Sequence, residues 1–144
     1  MGRWAAVAAL AALVLLADQL TKHWAATLPF NGMPLVGDWC KFQVVHNPGA
    51  LFGWLPVSTT ALVVVAIVFL GVIIAYAPGV WRSRLLTVAL ALILGGGVGN
   101  LSDRIRLGYV VDFVQVGRWP VFNLADSALT VGALLVIWSW WREQ

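Results

Sequence analysis

The chain has 144 residues, of which 61% are hydrophobic and only 10% charged, with a net charge of +3 and one cysteine. A water-soluble domain of this size cannot bury so much apolar surface, so the bilayer must serve as its solvent. The basic residues are scattered, which excludes a nucleic-acid-binding stripe, and Cys40 alone excludes an internal disulfide and says nothing about redox compartment.

A span needs about 20 mostly apolar residues to cross the hydrocarbon. The first covers 4–24. Arg3 followed by the apolar run Trp4 to Ala17 resembles a secretory signal peptide, yet no small-x-small site closes the run before Asp18, and Asp18 and Lys22 keep helical i, i+4 spacing. The segment reads as an uncleaved first helix. Pro29, Asn31, Gly32, Pro34 and Gly37 then mark a first loop. Within it, Lys41-Phe-Gln-Val-Val45 has the β-branched and aromatic composition of a strand.

The second span, 58–77, is expected to stop at Pro78-Gly79, and the third covers 83–102. Gly95 and Gly99 give the third a GxxxG spacing, read as a close-packing face. A third loop runs from Gly108 to Pro120 and holds a second strand-like patch, Tyr109 to Val114. The fourth span is 123–141. Backbone groups must pair within lipid, so all four should be helices. The expected architecture is an α-helical integral membrane protein with four transmembrane helices and a small extracytoplasmic β-sheet built from the first and third loops.

Tryptophan, which favours the membrane–water interface, fits this count. Trp4, Trp81, Trp138, Trp140 and Trp141 fall at one set of span ends, and Trp24, Trp39, Trp54 and Trp119 at or beyond the other. Placing both termini inside sets Arg3, Arg82, Arg84 and Arg142 against Lys22, Lys41, Arg104, Arg106 and Arg118 outside, a tally that decides nothing. The arginine density of the short second loop favours cytoplasmic termini. Parity is more informative. Asp18, Asn100, Asp103, Arg104, Asn123 and Asp126, with His46, Asn47 and Asp112 in the loops, all belong to one end of the bundle, the outer one in that orientation.

An aspartate placed in hydrocarbon costs about 3 kcal/mol on insertion scales, so these acids call for an explanation. There is no HExxH, GxSxG or phosphate loop: Gly95-Gly-Gly-Val-Gly99 is apolar with no following lysine, and the two histidines lie in different segments. Neither a metal nor a cofactor is expected. Carboxylate chemistry remains. Asp112 and Asp126 stand fourteen positions apart, and two such groups brought together share one proton. The ionised member can then take a proton from water while the other polarises a carbonyl.

Each acid also has a structural reading. Asn123-x-x-Asp126 has the spacing of a helix N-cap, which is compatible with catalysis. Asp103 beside Arg104 is most simply an ion pair, as is Asp18 with Lys22, and Asp38 reads as a solvated loop residue. Asp112 interrupts an apolar run with no cation at local distance. Two rivals to a hydrolase are a proton-relaying transporter through Asp18, Asp103 and Asp126, and a structural subunit that leaves Asp112 without a purpose.

The strings Asp18-Gln-Leu-Thr-Lys22, Asn47-Pro-Gly-Ala-Leu-Phe-Gly53, Gly99-Asn-Leu-x-Asp-Arg104, Val110-Val-Asp-Phe113 and Phe122-Asn-Leu-Ala-Asp126 occur in this order. Together they resemble the bacterial lipoprotein signal peptidase family, signal peptidase II. The resemblance implies a single membrane-embedded peptidase domain over 1–144 in the bacterial inner membrane. It would be an aspartic enzyme cutting diacylglyceryl-modified prolipoproteins just before the lipidated cysteine, working as a monomer among membrane lipid and blocked by globomycin-type inhibitors. Asp112 and Asp126 would be its catalytic dyad. Asp18, Asn47, Asn100, Asp103, Arg104, Asn123 and Ala125 would line or brace the site, with Arg104 either holding a substrate carbonyl or steadying Asp103. Leu51 stands where many relatives have alanine, and the stretch from Asp112 to Asn123 is shorter than in many of them.

Overall fold

The computed structural model describes residues 2–29, 32–37, 39–49, 58–80 and 83–142; Asn31, Asp38, Leu51, Trp54, Trp81 and Arg82, singled out above, lie outside them. Among the described residues, four helices, α1 (Arg3–Ala25), α2 (Thr59–Val80), α3 (Arg84–Leu107) and α4 (Leu124–Arg142), accompany three strands, β1 (Met33–Val36), β2 (Cys40–Asn47) and β3 (Val110–Val116). All four helices are long and apolar enough to cross a membrane.

α3 is the hub and the most buried of the four, packing against α1, α2 and α4. Its glycines permit this. A Cβ on Gly95 would sit 2.7 Å from the Ala11 carbonyl oxygen of α1, one on Gly96 2.5 Å from the Ala125 carbonyl oxygen of α4, and one on Gly97 2.7 Å from Leu70 of α2. The GxxxG pair is thus half of a broader small-residue surface, with Gly95 and Gly99 both turned toward α1. The end remote from the strands is closed by Val7, Ala77, Leu90 and Ala91. Leu13, Leu20, Val65, Val68, Leu134 and Ile137 lie on exposed faces, where lipid would cover them.

Two helix ends differ from expectation. α2 continues through Pro78 to Val80, because proline forfeits a single helical donor and lipid offers the backbone no alternative partner. α3 runs five residues past its expected end at 102, to Leu107, and stops where Gly108 adopts φ 83° and returns its N–H to the Arg104 carbonyl at 3.1 Å. Ser83 caps its start through a 3.2 Å bond from the Leu86 N–H.

The strands form an antiparallel sheet in the order β1-β2-β3. β2 and β3 are the two anticipated strands. β1 was read only as loop, since Pro34 argues against a strand; it is tolerated because β1 lies at the sheet's edge. Pairing of Val45 with Asp112 and of Asn47 with Val110 ties the first loop to the third. Trp24, at the end of α1, meets Phe42 edge-on at 5.0 Å and Phe113 at 6.4 Å, fastening the sheet to the helix ends.

Candidate active site

Apart from Ser139, the buried polar and charged side chains Asp18, Lys22, Asn47, Asn100, Asp103, Asp112 and Asn123 gather where the sheet meets α1, α3 and α4. Asp112 sits within β3 at 2% exposure, and Asp126 occupies the first turn of α4. Both border one cavity of about 170 Å³, together with Asn47, Gly49, Asn100, Arg104 and Val110.

Each of the four carboxylate oxygens accepts one amide hydrogen. Asp112 Oδ2 takes one from Asn47 Nδ2 at 2.9 Å, and Asp112 Oδ1 one from Asn123 Nδ2 at 2.7 Å. Asp126 Oδ1 takes one from Asn100 Nδ2 at 2.8 Å, and Asp126 Oδ2 one from the Asn123 N–H at 3.2 Å. These donors fix the carboxylates without neutralising them. Burial pushes the Asp112 carboxyl up to about 6, and the charge of Asp126 adds to the rise; the Asn47 and Asn123 amides and the Lys22 charge oppose it.

Asn123 is the N-cap that sequence spacing suggested. Its Oδ1 accepts the Asp126 N–H at 2.8 Å while Asp126 Oδ2 accepts the Asn123 N–H, a reciprocal capping box. Between them, Ala125 has no exposed surface, and its N–H donates to Asp18 Oδ1 at 2.9 Å. A Cβ on Gly99 would lie 3.4 Å from the Ala125 Cβ, so a small residue here lets α4 sit against α3.

Beneath the pair lies an ionic cluster. Lys22 Nζ stands 2.8 Å from Asp18 Oδ2 and 2.8 Å from Asp103 Oδ2. Asp103 was expected to pair with Arg104. Adjacent helical residues diverge by about 100°, so the two point apart. Asp103 instead meets Lys22, Gln19 Nε2 at 2.9 Å and the Val111 N–H at 3.2 Å, joining α1, α3 and β3. Arg104 turns to the cavity, its guanidinium only loosely engaged by the carbonyls of Asn100 at 3.5 Å and Gly49 at 3.4 Å. Its Nε is buried with no hydrogen-bond partner among the described residues.

Every candidate residue from the sequence therefore reaches this one end: Asp18, Asn47, Asn100, Asp103, Arg104, Asp112, Asn123, Ala125 and Asp126. Sequence spacing gives Lys22 no role in the site beyond pairing with Asp18, and does not single out Gln19 and Gly49. A lysine inside a membrane span was the available signal for Lys22. Among the described residues, no group of three or more His, Cys, Asp or Glu side chains is arranged to hold a metal ion.

Residues 10–142 match the family described as signal peptidase (SPase) II. The chain is 45% identical to the lipoprotein signal peptidase of Moorella thermoacetica over 90% of its own length and 88% of the relative's. It is 42% identical to that of Pelotomaculum thermopropionicum, covering 89% and 86%. Among solved structures, it superposes on a bacterial membrane enzyme determined by the in meso method at 2.3 Å, with TM-score 0.87 and 28% identity over 95% of this chain and 88% of that one. A second such enzyme, at 1.9 Å, gives 0.85 and 28% over 96% and 94%.

Proposed function

The chain belongs to the signal peptidase II family, whose members remove lipoprotein signal peptides, and on that premise we propose that it is an aspartic endopeptidase in which Asp112 and Asp126 activate water. The substrate is a diacylglyceryl-modified prolipoprotein, cut just before its lipidated cysteine. The enzyme acts as a monomer in the bacterial inner membrane, with cytoplasmic termini and the site near the outer face, where globomycin-type inhibitors block it. The observation that carries the reading is that both carboxylates border one cavity and that all four of their oxygens are held by amide donors.

In the working state the pair holds one proton. The ionised carboxylate takes a proton from water as its oxygen attacks the scissile carbonyl carbon. The protonated one gives its proton to the carbonyl oxygen, so a neutral gem-diol forms. Collapse returns a proton from the diol to one carboxylate while the other protonates the amide nitrogen, the C–N bond breaks, and the pair again holds one proton. Arg104, which lines the cavity and is only loosely engaged by two carbonyls, holds a substrate carbonyl. A lipid-bearing substrate arrives sideways from the bilayer, which suits a site at the helix ends. A transmembrane proton relay would need ionisable groups at several depths; the buried charged residues described here cluster at one end.

The test is cleavage of a diacylglyceryl-modified precursor by Asp112→Asn and Asp126→Asn enzymes that still insert and melt cooperatively. Both are expected to be inactive, and full turnover in either would remove the dyad.

A further inference from the structure

Lys22 is the buried cation, among the described residues, that the hydrolytic steps leave unused. Its ammonium has three hydrogens and three acceptors at bonding distance: Asp18 Oδ2 at 2.8 Å, Asp103 Oδ2 at 2.8 Å and Asn100 Oδ1 at 3.0 Å. The two carboxylates already outweigh its charge. The third contact, to a neutral amide, satisfies the last ammonium hydrogen and at the same time fixes which way that amide is turned.

Three asparagine side chains present their NH₂ groups to the paired aspartates, and each works only with its amide turned one way. For Asn47 the oxygen is held by the Gly49 N–H at 3.1 Å, and for Asn123 by the Asp126 N–H at 2.8 Å. Backbone donors set both. Asn100 lies within α3, where helical N–H groups are already committed to the helix. Its oxygen faces Lys22 Nζ and, at 3.1 Å, Asn123 Nδ2, whose second hydrogen has an alternative acceptor in the Val111 carbonyl at 3.3 Å. A lysine can only donate. Turning the Asn100 amide over would set its NH₂ against the ammonium and its oxygen against Asp126 Oδ1.

We propose that Lys22 is a positioning residue of the hydrolytic site: it locks the Asn100 amide so that Nδ2 is always presented to Asp126 Oδ1. Through that single amide, an ion cluster 5% exposed to solvent at its lysine holds Asp126 as a hydrogen-bond acceptor, ready to receive a proton. The role rests on the dyad reading above. It is distinct from the ion pairing that Lys22 also provides between α1 and α3.

The experiment is a kinetic double-mutant cycle on the full chain in detergent, with a diacylglyceryl-modified precursor as probe. Lys22→Met and Asn100→Leu are each expected to lower kcat by about 10- to 100-fold, the range for residues that orient a reacting group, with KM little changed. The double variant should be only slightly worse than either single one, since both remove the same contact. Losses in kcat that multiply, or a loss confined to KM, would overturn the proposal. If Lys22→Met, which strands two buried carboxylates, does not fold, the decision passes to two other variants. Lys22→Arg keeps a donor-only group and should retain most of kcat, whereas Lys22→Gln offers Asn100 an oxygen as well and should not. Equal kcat in folded Arg and Gln variants would overturn the proposal. Asp126→Asn run alongside separates the two readings: if that variant cleaves, the dyad itself is wrong, whereas an inactive Asp126→Asn with a fully active Lys22→Met removes only the role of Lys22.

Discussion

Asn123 and Asp126 hold each other twice, through the Asp126 N–H on Asn123 Oδ1 at 2.8 Å and the Asn123 N–H on Asp126 Oδ2 at 3.2 Å. Because Asn123 Nδ2 also reaches Asp112 Oδ1 at 2.7 Å, the cap of α4 and the clamp on the two aspartates are one object. The two roles separate by substitution. Asn123→Ser keeps a capping oxygen but has no arm to Asp112, so it should melt somewhat below the wild type, through the lost buried hydrogen bonds, while turnover falls about 10- to 100-fold. Asn123→Ala should lose about 1 kcal/mol of stability in addition. Melting curves and turnover measured on the same samples check this, and a fully active serine variant would count against it.

The Asp112 carboxyl, raised from 3.8 to about 6 by burial, makes a prediction whose sign is fixed. The folded protein binds this proton more tightly than the unfolded chain. Its stabilising effect is complete below about pH 4 and is lost as pH rises through about 6, on the order of 2 kcal/mol, part of it screened in the open cavity. The wild type should therefore gain thermal stability relative to Asp112→Asn as pH falls from 7 to 4. In kinetics, kcat/KM should fall along an alkaline limb near pH 6, while the limb in kcat lies higher because bound substrate removes water from the carboxyl. A flat difference in melting temperature across that range would contradict the first part.

The glycines of α3 should divide by what they face. A Cβ on Gly95 meets the Ala11 carbonyl oxygen and the Val14 Cβ, both at 2.7 Å, so Gly95→Ala should cost about 1–3 kcal/mol of stability through overpacking. On Gly99 it meets Asp18 Oδ2 at 2.7 Å, an oxygen already bound by Lys22, so Gly99→Ala should also lower kcat. Gly71, on α2, has nothing within 4 Å, and Gly71→Ala serves as the neutral control outside α3. Turnover normalised to folded protein distinguishes the three.

Asp18→Asn should act first on stability. Asp18 is fully buried between Lys22 and the Ala125 N–H, and breaking a buried pair of this kind costs about 3 kcal/mol. The residual activity of the folded fraction should exceed that of Asp126→Asn by at least about tenfold, since Asp18 acts only by holding others. Detergent-phase melting with turnover corrected for the folded fraction is the check.

Much of this arrangement could be read from residue order. Apolar runs of membrane length mark the helices, and the parity of four passes alone puts Asp18, Asn100, Asp103, Asn123 and Asp126 at one end. β2 and β3 were visible as β-branched patches. β1 was not, because Pro34 suits a loop as well as an edge strand, and only pairing with Lys41 decides between them. Asp103 was assigned to its neighbour in sequence when its partner is Lys22, on another helix. Likewise the i, i+4 relation of Asp18 and Lys22 was legible, while the contact from Lys22 to Asn100 depends on how α1 crosses α3. Local spacing reveals caps and helical pairs; contacts between helices await packing.

The amide donors that hold Asp112 and Asp126 come from β2, from α3 and from the residue that starts α4. While the chain is being threaded into the bilayer, the first two can be in place well before the third arrives. On the proposed dyad reading, hydrolytic competence would then be withheld until the final helix docks, since Asp126 and the Asn123 clamp both arrive with α4. A half-inserted copy would carry no armed pair of carboxylates, and insertion itself would act as the safety catch.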